Sequence, residues 1–589
     1  MDVLFVNATE KLTLNQEVNG TLLLATKLLQ AGISADVLRF GQISHYNQDY
    51  VAFLEEIVNR ILAMEPRCVS FYSLWPDYHI MLRIARELKT RRPSLVTVLG
   101  GPQASATAAV TMVQMPFVDC ICTDEGEMTV VPFFQAVLDG TAPADIPGVY
   151  YRNNGSLLHN EQLTALCDLN DLPHWDDRLL PANLQTADKT LTSGRYFMPI
   201  DAGRGCPFHC SFCCTSHFWR RTYRLKSAQR IVEDISYYHE KYGITSFWFS
   251  HDAFTTSQEL VSQVCDKILQ AGLHIQWRCT ARIDCITEEL VLKMKQAGLV
   301  QIELGVETGS PRMQKIIHKN LNLQHVKQMV QFLLKQKIAV CLFFMYGFPE
   351  ETEEDLGQTL NLLFDLLDLG VRHVSMSFCR FNPNTEITET HLERLVLDSG
   401  IKVLSRSIFG YQEELDVIRQ NKAIFPFFYH LSTPVRENYQ YLNLLVYLYQ
   451  QLPRSLRHLR SLYGGDDLTF YQDFVRCNPE CFRQDVRKII EDLKYRPLEL
   501  LNNVLRQLDR PCIPQLQALL TFDFDVQQVY RSREDAVLQK TYDFCFMDLQ
   551  LKLPIEQYSV GKTELLIQKI NGTSSMKILR VAYPSSAIG

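Results

Sequence analysis

The chain has 589 residues, 46% hydrophobic and 21% charged, a length that predicts three or four domains and a composition able to fill several cores. Its formal net charge of -7 and pI near 6.1 argue against a broad nucleic-acid footprint, which needs a basic face, although RRTYRLK (220–226) is a local basic stretch. The N-terminal MDVLFVNATEKL lacks the basic segment, apolar core and cleavage site of a secretory signal, and no apolar window is long enough to span a membrane, so a cytoplasmic chain is expected.

In chain order, the first 140 residues alternate strand and helix patterns. VLFVNA (3–8), ADVLRF (35–40), CVSFYSL (68–74), TVLGG (97–101) and VDCICT (118–123) read as strands, and 20–32, 49–64 and 77–91 as helices. Strands joined by helices of this length predict a parallel, doubly wound Rossmann-like sheet that binds ligands at the carboxyl ends of its strands. Residues 141–191 read as a linker, with a hairpin in IPGVYYRNNG (146–155).

From 192 to 395 the alternation returns with a longer period. YFMPIDAG (196–203), SFWFSHD (246–252), HIQWRCTA (274–281), QIELGVE (301–307), AVCLFFMYGF (339–348) and HVSMSF (373–378) read as six strands. Six βα units predict a partial (β/α)6 TIM-like barrel rather than a closed barrel of eight. Residues 396–589 read as mainly α-helical to about 508, with strand patterns at LTFDFDV (520–526) and FCFMDLQLKL (544–553).

The densest chemistry is CPFHCSFCC (206–214), directly after AGRG. A disulfide knot and a metal site both suit four sulfurs in nine residues, but in a reducing compartment a tight cluster is more often metal-binding or catalytic. Cys206-x3-Cys210-x2-Cys213 can cap three corners of a cubane [4Fe-4S] cluster, whereas tetrahedral zinc would want a second Cys/His pair that is absent downstream. Cys214 falls outside the spacing and reads as a packed thiol.

This CxxxCxxC loop after the first strand of a six-unit barrel resembles the radical S-adenosylmethionine (SAM) superfamily. The resemblance implies that one iron stays open to bind the methionine moiety of SAM. WFSHDAF (248–254) resembles the second-strand segment, with Asp252 matching and His251 standing where an acid is usual. WRCTARID (277–284) supplies Arg282, IELGVETGS (302–310) supplies Gly305 and Glu307, MYGFPEETEED (345–355) supplies Gly347, and Phe212 lies on the cluster loop. FNPNTEI (381–387) departs from the usual close by lacking its glycine. Plainer roles fit too: Asp252 as a cap for the following helix, Arg282 and Glu307 as an ion pair, and His251 as a partly buried strand-end residue.

The first domain resembles the cobalamin-binding domain that precedes the barrel in one branch of that superfamily, through VSFYSL (69–74), LGGPQAS (99–105) and DEGE (124–127). Ser70 and Ser73 offer hydroxyls, Gly100 and Gly101 allow close approach of a ligand, and Gly126 lies in the acidic loop. The Asp-x-His-x-x-Gly signature for a lower cobalt ligand is missing, because Asp77-Tyr78-His79 is followed by Leu82; Asp77 reads as a helix cap and His79 as a first-turn residue.

The resemblance implies [4Fe-4S], SAM and cobalamin as cofactors. The implied activity is a C-methyltransferase acting through a 5'-deoxyadenosyl radical on a small-molecule or peptide substrate, with an electron donor such as flavodoxin or ferredoxin. A cyclase or rearrangement enzyme using the same cofactors is the alternative, and a cobalamin or cluster sensor is the non-enzyme alternative. No nucleic-acid partner and no membrane span are expected.

Overall fold

The computed structural model describes residues 1–8, 19–45, 49–72, 74–164, 166–180, 197–398, 412–483, 489, 496–508, 513–531, 537–542, 563–569 and 576–580. They fall into two compact units. One comprises 1–305, 314–340 and 379–433, and the other 306–313, 341–378 and 434–589.

The first unit opens with strands β1 (Val3–Asn7), β2 (Ala35–Arg39), β3 (Cys68–Tyr72), β4 (Val96–Gly100) and β5 (Cys120–Cys122). They pair in parallel in the order β2-β1-β3-β4-β5. Val3, Leu4, Val6 and Val69 are fully buried, as expected of a sheet covered by helices on both faces. The helices Tyr50–Ala63 and Tyr78–Arg91 supply two of the crossovers, the first capped by Asp49, whose carboxylate accepts from Val51 and Ala52 N–H.

The hairpin read at 146–155 extends further than the sequence pattern suggested. Strands β6 (Val149–Asn153) and β7 (Ser156–His159) pair antiparallel at the edge of this sheet. Asn154 and Gly155 both have positive φ, 50° and 80°, as a two-residue hairpin turn of this hand requires.

The second sheet contains β8 (Met198–Asp201), β11 (Ser246–Ser250), β12 (Gln276–Ala281), β13 (Leu299–Glu307), β14 (Ala339–Tyr346) and β15 (His373–Phe378), adjacent in that order. All six coincide with the strands read from the sequence. Between β8 and β11 lies a small antiparallel pair, β9 (Gly203–Arg204) with β10 (Arg224–Leu225), so the cysteine-bearing segment is the loop of a short hairpin. The helix Ala228–Tyr242 returns the chain to β11, capped by Ser227 and ended by Gly243 at φ 68°.

The C-terminal part is mainly helical. One sequence reading is corrected there: 520–526 lies within the helix Ile513–Arg531 and not in a strand. The alternation in FDFDV imitates a strand, but Leu516, Leu519, Leu520 and Asp523 are buried at helical spacing. Asp523 accepts from the Ser455 N–H at 2.9 Å and its hydroxyl at 2.8 Å. The segment 544–553 lies outside the described residues.

Candidate functional site

The hairpin β9–β10 can form only because of its glycines. Gly205 has φ +86°, and a Cβ there would collide with the Thr222 carbonyl. Past this point the loop carries Cys206, Cys210 and Cys213, and it is pinned at Ser211, whose N–H donates to the Ile317 carbonyl (3.2 Å) and whose carbonyl accepts from Ile387 N–H (3.1 Å). Burial pushes the Cys206 thiol up to about 11, with neighbouring Cys213 and Cys210 adding to the effect. No two described cysteines form a disulfide. Three thiols carried by one pinned loop suit three irons of a cubane.

Arg282, buried just beyond β12, supports this loop. Its guanidinium lies 3.9 Å from the centre of the Phe208 ring, with Nη1 3.9 Å from Cys210 Sγ. It forks onto Asp284 at 2.9–3.2 Å and donates to the Lys319 carbonyl. Its ion-pair partner is therefore Asp284, where the plainer sequence reading had Glu307.

Asp252 does not cap the next helix, as one reading had it. Ser257 does, accepting from Leu260 N–H, while the Asp252 carboxylate accepts from Gly205 N–H, Thr215 and Trp219. Desolvation raises the Asp252 carboxyl and those hydrogen bonds oppose the rise. Its neighbour His251 is 5% exposed and is held neutral by burial, its pKa lowered to about 4. Its Nδ1 accepts from Ala253 N–H at 2.8 Å, so the proton resides on Nε2.

His251 and Asp252 meet the first domain around one cavity of about 640 Å³ within the first unit. Ser70, Tyr72, Gly100, Gly101 and Gly126 line one side of it, and Trp248, Ser250, His251 and Asp252 the other. This volume is of the size that small-molecule ligands fill. Two buried donors in its lining, Trp248 Nε1 and His251 Nε2, have no protein acceptor. The polar and glycine-lined walls, the two unpartnered donors and the three-thiol loop beside Asp252 fit the chemistry of the cofactors expected from the sequence.

The remaining expected contacts are dispersed. Phe212 is half-buried on the loop, and Gly305 ends the first unit's share of β13. Glu307 and Gly347 belong to the second unit: Glu307 is 7% exposed at φ 69°, and Gly347 has φ 78° and donates its N–H to Glu351. Ser73 lies outside the described residues. Gly101 lines the cavity and is also needed by the protein's own packing, because a Cβ there would lie 2.5 Å from Cδ2 of Tyr72. His79 is buried against Phe428 (5.7 Å between ring centres) and is not among the cavity's lining residues. Asp77 stands at the N-cap position but its side chain makes no capping bond, contrary to expectation.

The sequence reading missed the basic residues around the loop. RRTYRLK is not a free basic patch: Arg220 pairs with Asp124, Arg224 with Glu125 and Lys226 with Asp234. Arg204, in the AGRG run, pairs with Glu125, Glu127 and Asp201. The only signal was the proximity of these arginines to the cysteines.

Comparison with known proteins agrees with this architecture. The B12 binding domain family matches residues 10–133 and the radical SAM superfamily matches residues 200–363. An uncharacterized methyltransferase of Pyrococcus horikoshii is 28% identical over 305 residues, 52% of this chain and 65% of that protein. The anaerobic magnesium-protoporphyrin IX monomethyl ester cyclase of Rubrivivax gelatinosus is 24% identical over 324 residues, 53% of this chain and 56% of that protein. The chain thus spans less than two thirds of the length of either relative. The solved structure of the radical SAM methyltransferase TsrM from Kitasatospora setae shares the fold, with a TM-score of 0.56 at 16% identity over 67% of this chain and 78% of that one. Among the described residues, no helix is long and apolar enough to cross a membrane. The cysteine loop and the two sheets coincide with these matches: residues 200–363 match the radical SAM superfamily, and residues 10–133, ahead of them, match the B12 binding domain.

Proposed function

We propose that this chain is a cobalamin-dependent radical SAM methyltransferase that methylates an unactivated carbon of a peptide or natural-product substrate. The observation that carries the reading is the cavity walled jointly by the B12 binding domain and by the barrel strands beside the cysteine loop. When bound, the cluster and SAM supply a 5'-deoxyadenosyl radical and cobalamin supplies the methyl group.

The chain's own residues bind, orient and exclude water. Cys206, Cys210 and Cys213 would hold the cluster, and Arg282 fixes the loop through Phe208 and Asp284. Asp252 presents a carboxylate to the cavity at the position expected to face the methionine amine, and neutral His251 adds no charge beside it. Phe71, Tyr72, Phe218, Trp219 and Trp248 give the cavity aromatic walls, which keep water away from a reactive radical. A cytoplasmic location and a flavodoxin- or ferredoxin-like electron donor complete the proposal.

The match to a cyclase favours one second reading, ring closure with the same cofactors and no net methyl transfer. Anaerobically reconstituted protein given SAM and reductant separates the two. The methyltransferase reading expects both 5'-deoxyadenosine and S-adenosylhomocysteine. 5'-Deoxyadenosine alone supports the cyclase, and neither product refutes both.

A further inference from the structure

We infer that the arginines framing the cysteine loop and the acids of DEGE form a lattice that sets the register between the B12 binding domain and the cluster, with Arg204 as its central positioning residue. The inference rests on the function proposed above and assigns a task to residues which that proposal leaves unused.

Three arginines of one hairpin meet the three acids of one loop. Arg204, on β9 and two residues before Cys206, donates from Nη1 to Glu125 (3.0 Å) and from Nη2 to Glu127 (2.7 Å) and Asp201 (3.2 Å). Arg224, on β10, pairs with the other oxygen of Glu125 and donates to the Cys167 carbonyl at 3.2 Å. Arg220, in the loop itself, pairs with Asp124 at 2.5 Å and donates to the Thr164 carbonyl at 3.1 Å. Asp124 and Arg220 both hold left-handed backbone, at φ 62° and 52°, a conformation that persists only where the surroundings enforce it. The loop that holds the cysteines is therefore tied to the acidic loop at both ends and within.

Burial separates this lattice from ordinary surface pairing. The side chains of Arg204, Glu125 and Glu127 are 8%, 5% and 5% exposed. Buried ion pairs add little net stability against apolar replacements, but a guanidinium fork satisfied by carboxylates fixes direction and distance. Glu125, Glu127 and Cys167 converge closely enough to hold a cation, yet Arg204 and Arg224 already deliver positive charge to the two carboxylates. Asp124, Glu125, Glu127, Asp201 and Arg204 all line the cavity as well, so a shift of the lattice moves its walls. Methyl transfer and hydrogen abstraction must address the same substrate carbon, and an error of about 1 Å in such an arrangement costs on the order of 100-fold in rate.

The test measures register directly. In full-length protein carrying reduced cluster and cob(II)alamin, pulsed paramagnetic resonance reads the dipolar coupling between the two centres. The parent is expected to give one narrow distance, and Arg204→Gln and Glu125→Gln a shifted or broadened distribution at unchanged iron and cobalamin content. Arg204→Lys, which keeps the charge without the fork, should restore the distance only in part. Glu127→Gln and Asp124→Asn, each removing one acid, serve where the stronger variants do not fold. An unchanged distance in variants that retain both cofactors overturns the inference. So does loss of both cofactors in every single-acid variant, which would make the lattice a folding element. A parent that takes up neither cofactor contradicts the proposed function itself, and is thereby distinguishable.

Discussion

The guanidinium of Arg282 lies over the ring of Phe208, 3.9 Å from its centre, and so braces the cysteine loop from the end of β12. The same side chain is committed to Asp284 and the Lys319 carbonyl, so its role is to hold protein against protein. Arg282→Lys keeps the charge but loses the guanidinium over the ring and the fork. Outer partners of this kind typically matter by about 10- to 100-fold in metal affinity. The variant should load iron correspondingly more weakly in a chelator competition while its circular dichroism stays that of the parent.

Gly205 makes a sharper local prediction. Its φ of +86° and the crowding by the Thr222 carbonyl leave no room for a methyl group. Gly205→Ala should therefore cost about 1–3 kcal/mol from the backbone conformation alone, with displacement of Cys206 in addition. Expected readouts are a lower Tm and loss of the cluster absorbance. Parent-like iron content in this variant would contradict the hairpin geometry.

Glu351 gives a pH dependence in the second unit. Its carboxyl is pushed up to about 8 by burial, against the opposing hydrogen bonds from Gly347 and Phe348 N–H. A raised carboxyl pKa favours the folded state at low pH, and this contribution is lost as pH rises from the ordinary value near 4.5 through about 8. The total is bounded at about 1.4 kcal/mol for each tenfold change in the acidity of the carboxyl, a few kcal/mol at most. Thermal denaturation of cofactor-free protein should show Glu351→Gln losing less stability than the parent between those limits.

His251 has the opposite sign. Burial lowers its pKa from 6.5 to about 4, so its neutral form stabilises the fold above 6.5 and that contribution is lost as pH falls toward 4. His251→Gln should flatten the acid limb of the same denaturation curve, by no more than about 3 kcal/mol in total. An unchanged acid limb would show that the imidazole is not held neutral.

Much of this was legible in the sequence because the signals were local. Buried parallel strands read as apolar runs, which is why all six strands of the second sheet were located, and Cys206, Cys210 and Cys213 announce themselves by spacing. The misreadings have physical causes. The FDFDV stretch alternates like a strand, while the burial of Leu516, Leu519 and Leu520 belongs to a helix. Asp77 read as a helix cap because it stands at the N-cap position, yet its side chain makes no capping bond. The pairing of Arg204 and Arg224 with Glu125 could not be read at all, because those partners lie 79 and 99 residues away in the chain.

Cobalamin and the cluster are proposed to serve one cavity in one reaction system, and the fate of the SAM methyl group tests this most directly. Reconstituted protein is given SAM deuterated in its methyl group together with reductant, and the corrin released from it is analysed by mass spectrometry alongside the nucleoside products. The expected result is protein-bound cobalamin carrying the deuterated methyl group, with 5'-deoxyadenosine formed by the parent and absent from the Cys206→Ala variant. Corrin without the label, or 5'-deoxyadenosine formed equally by the Cys206→Ala variant, would contradict it.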